Sequence, residues 1–253
     1  MYINLSGLNI LLTGASRGIG KALAIKLAEA GATIAVHYNK NVREAENLCH
    51  ILGNESRSFQ ADLSKPDEAA KLFERVILEM GNIEVLINNA GVAIPATVDS
   101  TDDLWLKAWN DTIQVNLTSS AVLCKKAVEH FLKRKSSGRI INISSRAAFK
   151  GDKADYMAYA ASKAGLVALT KSIATSFGKD GVKAFVVAPG FVRTDMAREF
   201  MDRYGEEHAK GDLSLERMTE PKDLAPLITF IASGMADHST GATFDVNAGS
   251  YMH

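Results

Sequence analysis

"LNILLTGASRGIGKALAIKLAEAGA" (residues 8–32) passes without a break from a short apolar run, through a turn punctuated by glycine, into a segment of helical period. The run 8–13 reads as a strand buried on both faces. Gly14, Gly18 and Gly20 follow in a T-G-x-x-x-G-x-G spacing. Glycine lets the backbone turn tightly and come close to another group. A helix that starts there offers unpaired N–H groups and the positive end of its dipole to an anion. Between a strand and an amphipathic helix this pattern points to a nucleotide pyrophosphate. A plain tight turn is the alternative that the stretch alone leaves open.

Outward from this unit the same alternation continues. Strand candidates are 8–13, 33–38, 56–61, 83–88, 138–144, 183–188 and 242–246, and helix-period segments lie near 18–30, 41–52, 66–80, 103–135 with a break, 156–178 and 221–233. Strands alternating with longer amphipathic segments predict an α/β fold: one doubly wound domain over 1–253, with a seven-stranded, mostly parallel sheet and helices on both faces. No repeat or Pro/Ser-rich linker divides the chain. The polar stretch 191–215 has no strand signal and follows a strand. Ligands in open α/β sheets sit beyond the carboxyl ends of strands, so this insert is expected to be a substrate lid.

Lys plus Arg and Asp plus Glu both number 29. That balance predicts no nucleic-acid or anionic-membrane partner. Cys49 and Cys124 show no C-x-x-C or Cys/His spacing, so both are expected to be reduced and structural, with no metal site. The opening "MYINLSGLNILLTG" lacks a basic region and a cleavage site, and its apolar run is too short to span a bilayer. A cytoplasmic location is the expectation.

Two further strand ends carry polar residues. "INNAG" (87–91) sets Asn88 and Asn89 beside small residues that leave room for a sugar or ring, and "ADL" (61–63) offers Asp62 to an adenine amino group. Asn in such places also merely turns a chain. In "YMAYAASKAGL" (156–166), Tyr159 and Lys163 are i and i+4 and share a helix face, whereas Tyr156 has Ala160 at that offset. On its own the pair is equally compatible with a half-buried Tyr beside a Lys that snorkels to water.

Taken together, "TGASRGIG" (13–20), "NNAG" (88–91), Asn116 in "QVNL", "NISS" (142–145), "YAASK" (159–163), "APGFVRTDM" (188–196) and "TGATFDVNAGS" (240–250) resemble the short-chain dehydrogenase/reductase family from end to end. The opening and the "VNAGSYM" ending look most like the 3-oxoacyl-carrier-protein reductase branch. The resemblance implies a Rossmann fold and an NADPH-dependent reduction of a ketone to a secondary alcohol, with a 3-oxoacyl thioester as the expected substrate. It implies Tyr159 as acid/base, Lys163 as its partner and ribose anchor, Ser145 from the pair 144–145, and Asn116 holding a relay water. For the cofactor it implies Gly14, Ser16, Arg17, Gly18, Ile19 and Gly20 at the turn, and His37, Tyr38 and Asn39 after the second strand. Asp62, Leu63, Asn89, Ala90 and Gly91 follow, then Tyr159 and Lys163, and finally Pro189, Gly190, Val192 and Thr194 beyond the sixth strand. Further implications are a homotetramer paired through 103–135 and 156–178, and a substrate presented by acyl carrier protein. For that acidic partner, Lys133, Arg134 and Lys135 are the candidate basic cluster. Thr175 stands where many carrier-protein reductases have an arginine.

A free phenol ionises near 10, too high for acid/base work at neutral pH. A Lys ammonium about 4 Å away is worth roughly 4 kcal/mol at an effective dielectric near 20, enough to draw the phenol toward neutrality before desolvation opposes it. The cofactor reading rests on the end of the second strand. NAD enzymes of this architecture place an acid there to bind both ribose hydroxyls, and here "HYNK" (37–40) holds none. Arg17, with Asn39 and Lys40, is the expected reader of a 2′-phosphate, and His37→Asp is expected to shift preference toward NADH. An alcohol, sugar or steroid dehydrogenase, or a non-catalytic dinucleotide-binding sensor, remains open at this point.

Overall fold

Strand β1 (Asn9–Leu12) divides its side chains between two cores. Ile10 and Leu12 join one cluster, with Leu23 and Leu27 of helix α1 (Gly18–Glu29), and Leu11 joins another, with Leu72 and Phe131. That division is the period of a strand buried on both faces, and it repeats in β2 (Thr33–Tyr38). The computed structural model describes residues 3–252, and at 208 and 209 the backbone alone.

The remaining strands are β3 (Arg57–Gln60), β4 (Val85–Asn88), β5 (Gly138–Ile143), β6 (Val182–Pro189) and β7 (Thr243–Val246). All pair in parallel, in the order β3-β2-β1-β4-β5-β6-β7. Helices α1, α2 (Val42–Leu52) and α10 (Pro221–Ala232) cover one face. Helices α3 (Glu68–Met80), α5 (Ser119–Arg134) and α7 (Met157–Phe177) cover the other. Helix α4 (Asp102–Ile113) precedes α5, and the expected break between them is a π-helical turn, Gln114–Thr118. Strand limits fall within about two residues of the expected ones.

The chain runs outward from β1 to β3, then returns beside β1 as β4. At this reversal the connections after β1 and β4 leave in opposite directions, opening a crevice at the carboxyl edge of the sheet. The stretch after β6, expected to lack strands, forms helices α8 (Asp195–Tyr204) and α9 (Glu206–Lys210). A bridge between Val192 and Thr219 closes the base of this excursion. The short helix α6 (Ala147–Lys150) lies between β5 and α7. Among the described residues no helix is long and apolar enough to cross a membrane, and no group of three or more His, Cys, Asp or Glu could hold a metal ion. Both cysteines are free, and Cys124 is buried beside Asn88 and Asn142.

Candidate active site

The glycine turn is locked to the end of β4. Thr13 Oγ1 accepts from the Asn89 and Ala90 amides at 2.9 and 3.0 Å, and Asn89 Nδ2 donates to the Thr13 and Gly14 carbonyls at 2.8 and 3.1 Å. Gly20 is dictated by this packing: a Cβ there would lie 2.1 Å from the Gly14 carbonyl oxygen and 2.8 Å from Asn89 Nδ2. Helix α1 starts immediately afterwards with no side-chain cap from Arg17 and no acid in its first turn. Its first amides, with the dipole behind them, are left for an anion.

They open onto a cavity of about 740 Å³ lined by every residue expected to hold the adenosine and pyrophosphate, from Gly14 through Tyr38, Asn39, Asp62 and Leu63 to Gly91. Arg17, Asn39 and Lys40 are all part of its lining, and Arg17 makes no ion pair among the described residues. Asp62 faces the same space while accepting from the Ser64 amide and hydroxyl. Those hydrogen bonds, chiefly the hydroxyl's, hold its carboxyl below the usual range. His37 departs from expectation. Its ring is 2% exposed and turned into the protein, with Nδ1 accepting from the Gly14 amide at 3.0 Å and Nε2 placed 3.1 Å from the Ala61 carbonyl. Burial drives its pKa down to about 4. The ring is committed to the turn, so His37→Asp would bury a carboxylate beside the Ala61 carbonyl rather than merely change cofactor preference.

At the end of β5 the chain places two serines with different duties. Ser144 Oγ donates to the Lys163 carbonyl at 2.8 Å, whereas the Ser145 hydroxyl hydrogen-bonds the Tyr159 phenol and accepts from the Ala147 amide at 3.1 Å. One turn along α7 from Tyr159, Lys163 is 4% exposed and donates from Nζ to the Ile143 carbonyl at 2.9 Å. Ser145, Tyr159 and Lys163 line a second cavity of about 450 Å³, together with Pro189, Gly190 and Val192. The two cavities share Ile19, Asn89, Gly91, Thr194 and Met196. Tyr156 instead packs its ring against Phe200 and Tyr204, at 5.6 and 6.3 Å between centroids.

Two expectations gain detail here and a third needs correction. Lys163 Nζ lies 5.7 Å from the centre of the Tyr159 ring, and burial pushes the phenol up to about 12. Burial also lowers Lys163, to about 8. Desolvation is the larger influence on both groups, and it opposes the lowering of the phenol. The Asn116 side chain is fully engaged as a donor, giving Nδ2 to the Val92 carbonyl at 2.8 Å and to Ser162 Oγ at 3.0 Å, while Oδ1 accepts from the Val92 amide at 2.8 Å. It is a brace beside the cavity rather than part of its lining. Lys133, Arg134 and Lys135 end α5 at the amino edge of the sheet, where Arg134 pairs with Glu84 at 3.0 Å. A helix that returns the chain to a parallel strand ends at the edge opposite the carboxyl ends, so this cluster is far from the site mouth.

The mouth is built by residues that the sequence reading did not single out. Asp155 accepts from the Tyr204 hydroxyl and, at 3.2 Å, from Arg203, and Asp212 receives Arg146 at 3.5 Å and Lys150. These contacts hold α8 over the smaller cavity. Phe200 packs on Phe191 at 4.8 Å, and the Arg146 guanidinium stands 4.8 Å over the Phe191 ring. Beyond the polar stretch 191–215, the available signal was the density of charge in "KGDKAD" (150–155).

With this geometry in place, the sequence itself decides the family: residues 8–205 match the short chain dehydrogenase family. The chain belongs to it. This short-chain dehydrogenase is 35% identical over 249 residues to the 3-oxoacyl-(acyl-carrier-protein) reductase FabG of Staphylococcus epidermidis, covering 96% of this chain and 98% of that one. It is also 35% identical to the FabG reductase of Vibrio cholerae, over 99% and 100% of the two chains. Among solved structures it resembles a blue fluorescent protein from a metagenomic library in complex with NADPH, with a TM-score of 0.89 and 32% identity over 98% of this chain and 100% of that one.

A dinucleotide fits the residues present. The uncapped amides of α1 are suited to a pyrophosphate. Gly91 leaves the passage between the cavities open, since a Cβ there would stand 3.3 Å from Asn116 Oδ1 and 3.4 Å from Lys163 Nζ.

Proposed function

We propose that this chain reduces a ketone to a secondary alcohol with NADPH, and that its substrate is a 3-oxoacyl thioester. The observation that carries the reading is the meeting of the Ser145 hydroxyl, the Tyr159 phenol and the Lys163 ammonium in a cavity that adjoins a dinucleotide-sized crevice. When bound, NADPH supplies a hydride to the carbonyl carbon. Tyr159, protonated at neutral pH because its pKa is about 12, then gives its proton to the carbonyl oxygen. Ser145 donates to the same oxygen and holds the carbonyl in line. The positive charge of Lys163, present below about pH 8, offsets the phenolate that the transfer leaves. Asn116 keeps residues 91 and 92 against Ser162 and so sets the passage between the two cavities.

Arg17, with Asn39 and Lys40, is the proposed seat of a 2′-phosphate, and the excursion 191–215 is the proposed substrate lid. Helix α4 exposes Leu104 and Leu106 next to the stacked rings of Trp105 and Trp109, which favours burial against another copy of the chain. A homotetramer through α4, α5 and α7 is our reading, and presentation of the substrate by acyl carrier protein follows from the likeness to the FabG reductases. A turnover screen with NADPH tests the substrate class. An acetoacetyl thioester should be reduced faster than simple ketones or sugars, and preference for a free sugar would favour a different branch of the family.

A further inference from the structure

Within the cofactor reading above, on which this rests, one buried titratable group has no part in the chemistry. The ring of His37 accepts the Gly14 amide on Nδ1 and faces the Ala61 carbonyl with Nε2, so the proton sits on Nε2 and both nitrogens are satisfied only in the neutral ring. Its main chain acts on the same turn, because the His37 carbonyl accepts the Ala15 amide at 2.9 Å. From the other side Asn89 Nδ2 takes the Gly14 carbonyl. Thus the first two amides of the turn point inward to one residue of β2, and the Gly14–Ala15 peptide unit is held at its carbonyl as well, by Asn89 just after β4.

We propose that His37 is the positioning residue of the cofactor site: by turning the Gly14 and Ala15 amides into the protein it fixes the amides that follow, at the start of α1, toward the pyrophosphate. It touches no cofactor atom in this role. Without the ring acceptor, the half-buried Gly14 amide loses its partner inside the protein and recovers one only by rotating the peptide, which swings the start of α1 out of register with the ligand. Burial keeps the ring neutral across the working range of pH, so the acceptor is permanently available.

NADPH fluorescence titration and steady-state kinetics of the unmutated protein, His37→Leu and His37→Asn test this. His37→Leu should raise the dissociation constant for NADPH about tenfold, the loss of roughly one buried hydrogen bond. Its KM for NADPH should rise in parallel, while kcat at saturating NADPH and KM for the ketone stay within about twofold. In His37→Asn the Oδ1 stands as many bonds from Cβ as Nδ1 does, and binding should return to within about threefold of the unmutated value. If His37→Leu does not fold, His37→Gln takes its place with the same expectation, because its acceptor lies one bond too far from Gly14. Unchanged NADPH binding in the Leu or Gln variant, even with a lower melting temperature, overturns the proposal. So does an Asn variant as weak as the Leu one, or a loss that falls on kcat. Failure of the unmutated protein to bind NADPH overturns the cofactor reading itself, and this inference with it.

Discussion

Replacing Lys163 by methionine should abolish reduction and yet make the fold more stable, because burial of the ammonium is a cost that the folded state bears. Its pKa falls from 10.5 to about 8 by desolvation alone, which corresponds to about 3 kcal/mol of destabilisation at neutral pH. Against that, the variant gives up the hydrogen bond from Nζ to the Ile143 carbonyl, worth about 1–1.5 kcal/mol. The net gain is about 2 kcal/mol, or roughly 4–8 °C in melting temperature for a chain of this length. The pH dependence supplies the sign. Between 8 and 10.5 the unfolded chain still holds the Lys163 proton that the folded protein has released, so the unmutated protein gains stability from this group as pH rises through that window. The variant has no such gain, and its advantage should close by about pH 9.5. Calorimetric melts of both proteins at equal concentration, at pH 7 and 9.5, measure this. A variant that melts several degrees lower at pH 7, or an offset identical at the two pH values, would refute the reasoning.

The unmutated enzyme should prefer NADPH over NADH by at least about tenfold in kcat/KM, the low end of what one Arg–phosphate contact contributes. Arg17→Ala should remove most of that difference, and equal use of both cofactors at matched salt would show that Arg17 does not read the 2′-phosphate. The reduction rate should be level below about pH 8 and decline above it as Lys163 loses its proton; a rate that rises through pH 8 would assign the acid wrongly. Asp155→Asn, which removes the charge facing Arg203 and weakens the tie to Tyr204, should raise KM for the ketone about three- to tenfold without altering NADPH affinity. A change in cofactor affinity instead would place the 203–155 contact outside the lid.

Features that depend on local pattern were legible in the sequence. Strands buried on both faces leave continuous apolar runs, and the glycine turn is written in three residues because a Cβ at Gly20 would collide with the Gly14 carbonyl. Tyr159 could be separated from Tyr156 by helical spacing alone. Features that depend on side-chain direction were not. A histidine at the end of β2 looks the same in sequence whether its ring faces a ribose or the protein interior, and only the approach of the Gly14 amide and the Ala61 carbonyl decides it. The tie of Asn116 to Val92 and Ser162 joins residues far apart in the chain, as does the grip of Asp212 on Arg146. The misplacing of Lys133 to Lys135 has another cause: charge is visible in sequence, but which edge of the sheet a helix ends on follows from winding. The balance of the Tyr159–Lys163 electrostatics was not legible because helical spacing fixes Cβ positions, whereas desolvation depends on everything packed around them.

The most direct test of the account is Tyr159→Phe, since one hydroxyl is assigned the proton transfer. Stopped-flow absorbance on mixing the NADPH complex with an acetoacetyl thioester should show oxidation of NADPH by the unmutated protein and by Tyr156→Phe, whose ring packs with Phe200 and Tyr204 at the cavity wall. Tyr159→Phe should bind NADPH with nearly unchanged affinity by fluorescence and show no oxidation on that timescale. Turnover by Tyr159→Phe at a rate near that of the unmutated protein would contradict the assignment of Tyr159 as the acid.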